Sequence, residues 1–175
     1  LRQNPAFDGV MIGEGEQTFY RLLDYYIGKN GTLEQIPGIA FRESARVRQE
    51  EAAGVSGVGE QKDGDGSAFK RTVPLIPTRN LDHLPFVYQD LQKFENRILY
   101  YETSRGCPFS CSYCLSSVDK RVRYRSMELV KKELLYFLSR NVKQVKFVDR
   151  TFNCSHARTL ELWRFLRDHD NGVTN

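Results

Sequence analysis

The chain has 175 residues, 40% of them hydrophobic and 27% charged, with a formal net charge of +4. That length holds one domain of ordinary size or pieces of two, and the hydrophobic share lies far above that of a disordered chain. No apolar run approaches the roughly 20 residues of a membrane span, and the mild charge permits an anionic partner without requiring one.

The start has no basic-then-apolar leader. Only four cysteines occur, too few for a disulfide scaffold of this size, so a reducing, cytoplasmic setting is expected. The missing initiator Met and the ending DHDNGVTN predict a piece cut from a longer protein.

Residues 8–13, DGVMIG, form a short apolar run ending in glycine and predict a strand. EGEQTFYRLLDYYIGKNG then places Phe19, Leu22, Leu23 and Tyr26 at helical spacing, with Gly28 and Gly31 as stop signals. This is a strand–turn–helix unit of an α/β layer, and it cannot bury both faces of its strand alone. Residues 36–50 alternate apolar and polar around a Glu43-Ser44-Ala45 break and predict a small hairpin. Residues 51–72 are Gly-rich and polar, which predicts a mobile linker or long loop. VPLIPTRNLDHLPFVYQDL carries Pro74, Pro77 and Pro85 and predicts an extended connector lying on a surface.

From Arg97 the pattern changes. RILYYETS is apolar, aromatic and β-prone. SMELVKKELLYFLSRN puts Met127, Val130, Leu134, Phe137 and Leu138 on one helix face, with Ser126 as N-cap. VKQVKFVD predicts the next strand, and SHARTLELWRFLRDH the next helix, capped by Ser155. Strand, helix, strand, helix with short connections predicts a parallel sheet with right-handed crossovers.

Between the first of these strands and its helix lies RGCPFSCSYCLSS, which holds three of the cysteines: Cys107, Cys111 and Cys114. The loop leaves the C-terminal end of a strand, where parallel α/β folds build their sites. Three thiols cannot pair as disulfides without leaving one over. Thiolate clusters suit soft metals, either zinc or an iron–sulfur cluster. With zinc, Cys154 is the fourth ligand and the chain is a binding module whose basic loop meets nucleic acid. With a four-iron cluster, three ligands leave one iron open to a cofactor or substrate.

CxxxCxxC after the first strand of a βα series, with aromatic Tyr113 just before Cys114, resembles the signature of the radical S-adenosylmethionine (radical SAM) superfamily. The resemblance implies that Cys107, Cys111 and Cys114 hold three irons of a 4Fe–4S cluster. It implies that SAM chelates the fourth iron through its amino and carboxylate groups. One electron then cleaves SAM to methionine and a 5′-deoxyadenosyl radical, which abstracts hydrogen from a substrate. Tyr113 would lie beside the adenine.

The flanks VDKRVRYRSMELVKKEL and VKFVDRTFNCSHARTLELWRFL resemble the subgroup that carries a cobalamin-binding domain in front. Where many of its members read DDTF, this chain has Asp149-Arg150-Thr151-Phe152-Asn153. The GGE of many other radical SAM enzymes is absent, and Asp149 is the expected replacement at the SAM amino group. DGVMIGEGEQTFYRLL resembles the last strand and helix of the cobalamin domain, which places Gly13 and Gly15 near the nucleotide tail of cobalamin.

The implied fold class is therefore α/β. Residues 1–30 close a cobalamin-binding Rossmann-like domain, 31–96 are a hairpin and interdomain linker, and 97–175 are the first βα units of a radical SAM partial TIM-type barrel. The resemblance implies a flavodoxin- or ferredoxin-type electron donor, an enzyme in full-length form and an inactive fragment alone. A nucleic-acid partner is not expected.

Blander readings stand beside these. A tight turn by itself explains Gly13-Glu14-Gly15. The run Lys120-Arg121-Val122-Arg123-Tyr124-Arg125 reads as a solvated loop or as a docking patch for an anion or an acidic donor. His83, His156 and His169 read as surface or capping residues, and Cys154 as a plain thiol.

Overall fold

The computed structural model describes residues 6–42, 59–62, 68–115 and 120–175. It divides the chain into two compact units, Leu1–Thr78 and Arg79–Asn175, whereas the expected boundaries lie after residues 30 and 96. No helix among the described residues is long and apolar enough to cross a membrane.

The first unit contains β1 (Gly9–Met11), α1 (Gly15–Tyr26), β2 (Ile39–Arg42), β3 (Gly59–Lys62) and β4 (Ala68–Arg71). The strands form one antiparallel sheet in the order β1-β2-β4-β3. Among the described residues β1 is thus not a strand of a parallel layer; its partner is β2. Its three residues are all exposed, as expected of a strand that cannot cover its own faces.

Leu33, Ile36, Ile39 and Phe41 form the core, with Leu22 and Tyr25 packed against it. The helix meets that core through Thr18, Leu22 and Tyr25, while Phe19, Leu23 and Tyr26 of the predicted face stay exposed. Both sets have helical spacing, and only the sheet's position selects between them.

The linker expected over 51–72 is corrected in part, because β3 and β4 lie inside it. Phe69 and Thr72 are buried. The Thr72 amide donates to the Ile39 carbonyl at 3.0 Å, and its hydroxyl accepts from the Ile39 amide at 3.1 Å. The polar, Gly-rich composition averaged over the stretch hides one short β-prone segment at its end. The hairpin break at Glu43-Ser44-Ala45 and its second arm lie outside the described residues.

The second unit holds β5 (Leu99–Tyr101), β6 (Ser104–Arg105), β7 (Arg123–Tyr124), α2 (Met127–Ser139), β8 (Val145–Phe147) and α3 (His156–Asp168). β5 and β8 are parallel, with Leu99 opposite Val145 and Tyr101 opposite Phe147. Leu99, Tyr101, Val130, Leu134, Phe137 and Leu162 make the core. Ser126 caps α2 as expected, its Oγ accepting from the Leu129 amide at 3.3 Å. Ser155 precedes α3 but makes no side-chain cap; its carbonyl instead accepts from the Thr159 amide and hydroxyl.

The proline-rich connector, expected to be extended on a surface, is interrupted by a 3-10 turn at Leu81–His83 capped by Asn80, and it does not lie wholly on a surface. Leu81 is fully buried, and Phe86 and Tyr88 pack onto the core. The Tyr88 hydroxyl donates to the Tyr100 carbonyl at 2.7 Å and accepts from the Tyr100 amide at 3.0 Å. One side chain thereby satisfies the backbone edge of β5 that β8 does not cover.

Candidate functional site

Beyond β5 the backbone is held at both ends of the cysteine loop. Ser104 and Arg105 pair antiparallel with Tyr124 and Arg123, so the loop leaves on β6 and returns on β7. The Arg125 amide extends the clasp to the Thr103 carbonyl at 2.9 Å. Gly106 opens the loop at φ +105°, and a Cβ there would collide with the Arg121 carbonyl oxygen. Both the backbone conformation and the returning chain exclude any other residue. Arg105 adds a fork onto Glu102, with Nε 3.0 Å from Oε1 and Nη2 2.7 Å from Oε2.

The four cysteines are reduced thiols; Cys107 and Cys114 are half-buried, and Cys111 and Cys154 exposed. A turn joins the later pair on the loop, the Cys114 amide donating to the Cys111 carbonyl at 3.1 Å. Tyr113, expected beside adenine, projects into solvent at 91% exposure. Among the described residues no three His, Cys, Asp or Glu side chains gather closely enough to hold one metal ion. Three thiols on one loop are the soft donor set that either a zinc ion or an iron–sulfur cluster takes.

The segment after β8 reaches across to the loop. Asp149 accepts from the Thr103 amide at 3.1 Å and from the Thr103 hydroxyl at 2.7 Å. It also accepts from the Ser104 hydroxyl at 2.5 Å. Its carboxylate ties the ends of the two parallel strands together. Two residues on, the Thr151 hydroxyl donates to the Cys107 sulfur at 3.2 Å. Sequence reasoning named Asp149 as a cofactor contact and gave Thr151 no role. Thr151 lies in a turn past the end of β8, and no local pattern in the sequence points to it.

The basic run divides. Lys120 and Arg121 are exposed, whereas Arg125 is buried and paired with buried Glu133. The solvated-loop reading is therefore corrected at Arg125. Tyr101 completes the group by donating its hydroxyl to Glu133 at 2.5 Å. Burial, then the bond to Glu133 and its charge, push the Tyr101 pKa far above the ordinary tyrosine value. Tyr124 is also raised, first by burial and then by its hydrogen bond to Cys154.

Elsewhere, Gly13 has φ +90° and open space where a Cβ would stand, and Gly15 is the first residue of α1. His83 and His156 are exposed; His169 caps α3, its Nδ1 2.8 Å from the Phe165 carbonyl.

No protein-family model matches the chain. It is 32% identical over 171 residues to an uncharacterized methyltransferase of Pyrococcus horikoshii, covering 93% of this chain and 32% of that protein. It is 28% identical over 152 residues to cytidylyl-2-hydroxyethylphosphonate methyltransferase of Streptomyces wedmorensis, covering 75% and 28%. It is 25% identical over 174 residues to the cobalamin-dependent radical SAM methyltransferase TokK of Streptomyces tokunonensis, covering 96% and 23%. The chain spans about a third or less of these curated relatives. Its fold is similar to the radical SAM methyltransferase TsrM of Kitasatospora setae, solved with cobalamin and a 4Fe–4S cluster bound. That match has a TM-score of 0.54 at 18% identity and covers 94% of this chain and 31% of the other.

Proposed function

The chain is a homologue of cobalamin-dependent radical SAM methyltransferases, and from that premise we propose that it forms the cluster-bearing part of such an enzyme. One observation carries the reading: three reduced thiols sit on a clasped loop at the C-terminal end of a parallel strand pair. Cys107, Cys111 and Cys114 would hold a 4Fe–4S cluster, with SAM at the open iron. When bound, that pair supplies one-electron cleavage of SAM to methionine and a 5′-deoxyadenosyl radical.

The chain's own residues do the positioning. Gly106 lets the loop leave β6 against the returning backbone, and the β6–β7 ladder fixes its two ends. Asp149 is engaged by three donors from Thr103 and Ser104, which favours a bracing role over the SAM-amino contact read from the sequence. Cobalamin enters on the strength of the relatives; the positive φ of Gly13 accounts for that glycine without a ligand. Methyl transfer is the reaction class these relatives support, within a polypeptide longer than the 175 residues. Exposed Lys120 and Arg121 suit an acidic flavodoxin- or ferredoxin-type donor.

The test is anaerobic purification of the longest polypeptide the gene encodes, with iron and sulfide analysis. Wild type and Cys154→Ala should carry a full cluster, and Cys111→Ala should not. A Cys154→Ala protein stripped as fully as Cys111→Ala would show that the three-ligand set is wrong.

A further inference from the structure

We infer that Thr151 is a positioning residue for the cluster: its hydroxyl holds the Cys107 sulfur and raises the reduction potential of the group ligated there. The inference rests on the cluster reading above, and it adds a residue outside the cysteine motif.

The contact is a hydroxyl donor 3.2 Å from a half-buried sulfur, between residues 44 apart in sequence. Thr151 is itself held on both sides. Asp149 is bonded to Thr103 and Ser104, and Phe152 packs on Phe147 and Trp163, with ring centroids 4.9 and 5.6 Å apart. The Thr151 carbonyl accepts from the Cys154 amide at 3.2 Å and closes the turn behind it. A donor fixed this way needs no reorganisation to meet the sulfur.

The physical effect has a definite sign. Adding one electron makes the cluster and its thiolates more negative. A hydroxyl donating to a ligand sulfur stabilises that more negative state, so the potential rises. Removing the hydroxyl should make the cluster harder to reduce. Valine keeps the shape and loses the donor; serine keeps the donor and loses the methyl group.

The experiment is a redox titration of the reconstituted longest polypeptide, followed by electron paramagnetic resonance of the reduced cluster. At the wild-type midpoint, Thr151→Val should show about a tenfold lower ratio of reduced to oxidised cluster, a shift of about 59 mV for one electron. Thr151→Ser should restore most of it. Equal midpoints for wild type and Thr151→Val at equal iron content overturn the inference. A Thr151→Val protein that loses iron supports it if Thr151→Ser keeps iron, and overturns it if Thr151→Ser loses iron equally. Wild-type protein that takes up no cluster would instead sink the cluster reading on which the inference stands.

Discussion

The Arg125 guanidinium grips the Glu133 carboxylate through two contacts of 2.9 Å, with both side chains 8% exposed. The pair joins the chain leaving β7 to the buried side of α2. Removing one partner strands a charge without water. Glu133→Leu should therefore cost about 3–5 kcal/mol of stability. The double variant Arg125→Met/Glu133→Leu should cost less than Glu133→Leu alone. Urea unfolding of the three proteins checks this, and additive costs would refute it.

Tyr101 makes the same cluster sensitive to alkali. Its folded-state pKa is raised above the ordinary value of 10.0, first by burial and then by Glu133. The folded protein holds that proton more tightly than the unfolded chain. The resulting stability is present in full below pH about 10 and is lost as pH rises beyond it. Tyr101→Phe should flatten the alkaline loss, at a cost of about 1–3 kcal/mol near neutrality from the donor withdrawn from Glu133. Unfolding measured across the alkaline range should show the two proteins converging; parallel curves would count against the assignment.

Gly106→Ala places a Cβ against the Arg121 carbonyl in a backbone region that costs a non-glycine residue about 1–3 kcal/mol even without a clash. The β6–β7 clasp should open before the helices do. Amide exchange at Arg125, which donates to the Thr103 carbonyl, should accelerate while Val130 stays protected. Unchanged exchange at Arg125 would mean that the returning chain shifts without opening the clasp.

Thr72→Val leaves the buried Ile39 amide without its hydroxyl partner and should cost about 1–3 kcal/mol, whereas Thr72→Ser should be nearly neutral. Thermal or urea unfolding distinguishes them. Equal costs for the two variants would assign the role to the methyl group. The Thr72 amide itself should exchange slowly, unlike that of a mobile linker.

The site was legible where its chemistry is local. Cys107, Cys111 and Cys114 announce themselves by spacing, and their place after a β-prone run is visible in RILYYETS. Thr151 was not legible, because its meaning depends on a sulfur 44 positions away. Asp149 was visible only as a departure from a family pattern, which suggested a ligand contact; the structure adds a brace between two strand ends. Arg125 was read with its basic neighbours as solvated because charge composition says nothing about which cation faces inward.

Periodicity and capping chemistry act over three or four residues, so the sequence alone determined α2, its Ser126 cap and the alternation of strand and helix from Arg97 onward. The thiol spacing determined the candidate ligands in the same way. Only the tertiary structure decided that β2 pairs with β4 across 43–67, that α1 turns Thr18, Leu22 and Tyr25 inward, and that Glu133 and Tyr101 receive Arg125. Several arrangements satisfy each of these stretches locally. What selects among them is burial of apolar surface and the cost of leaving a buried donor or charge unpartnered, and both depend on residues distant in the chain.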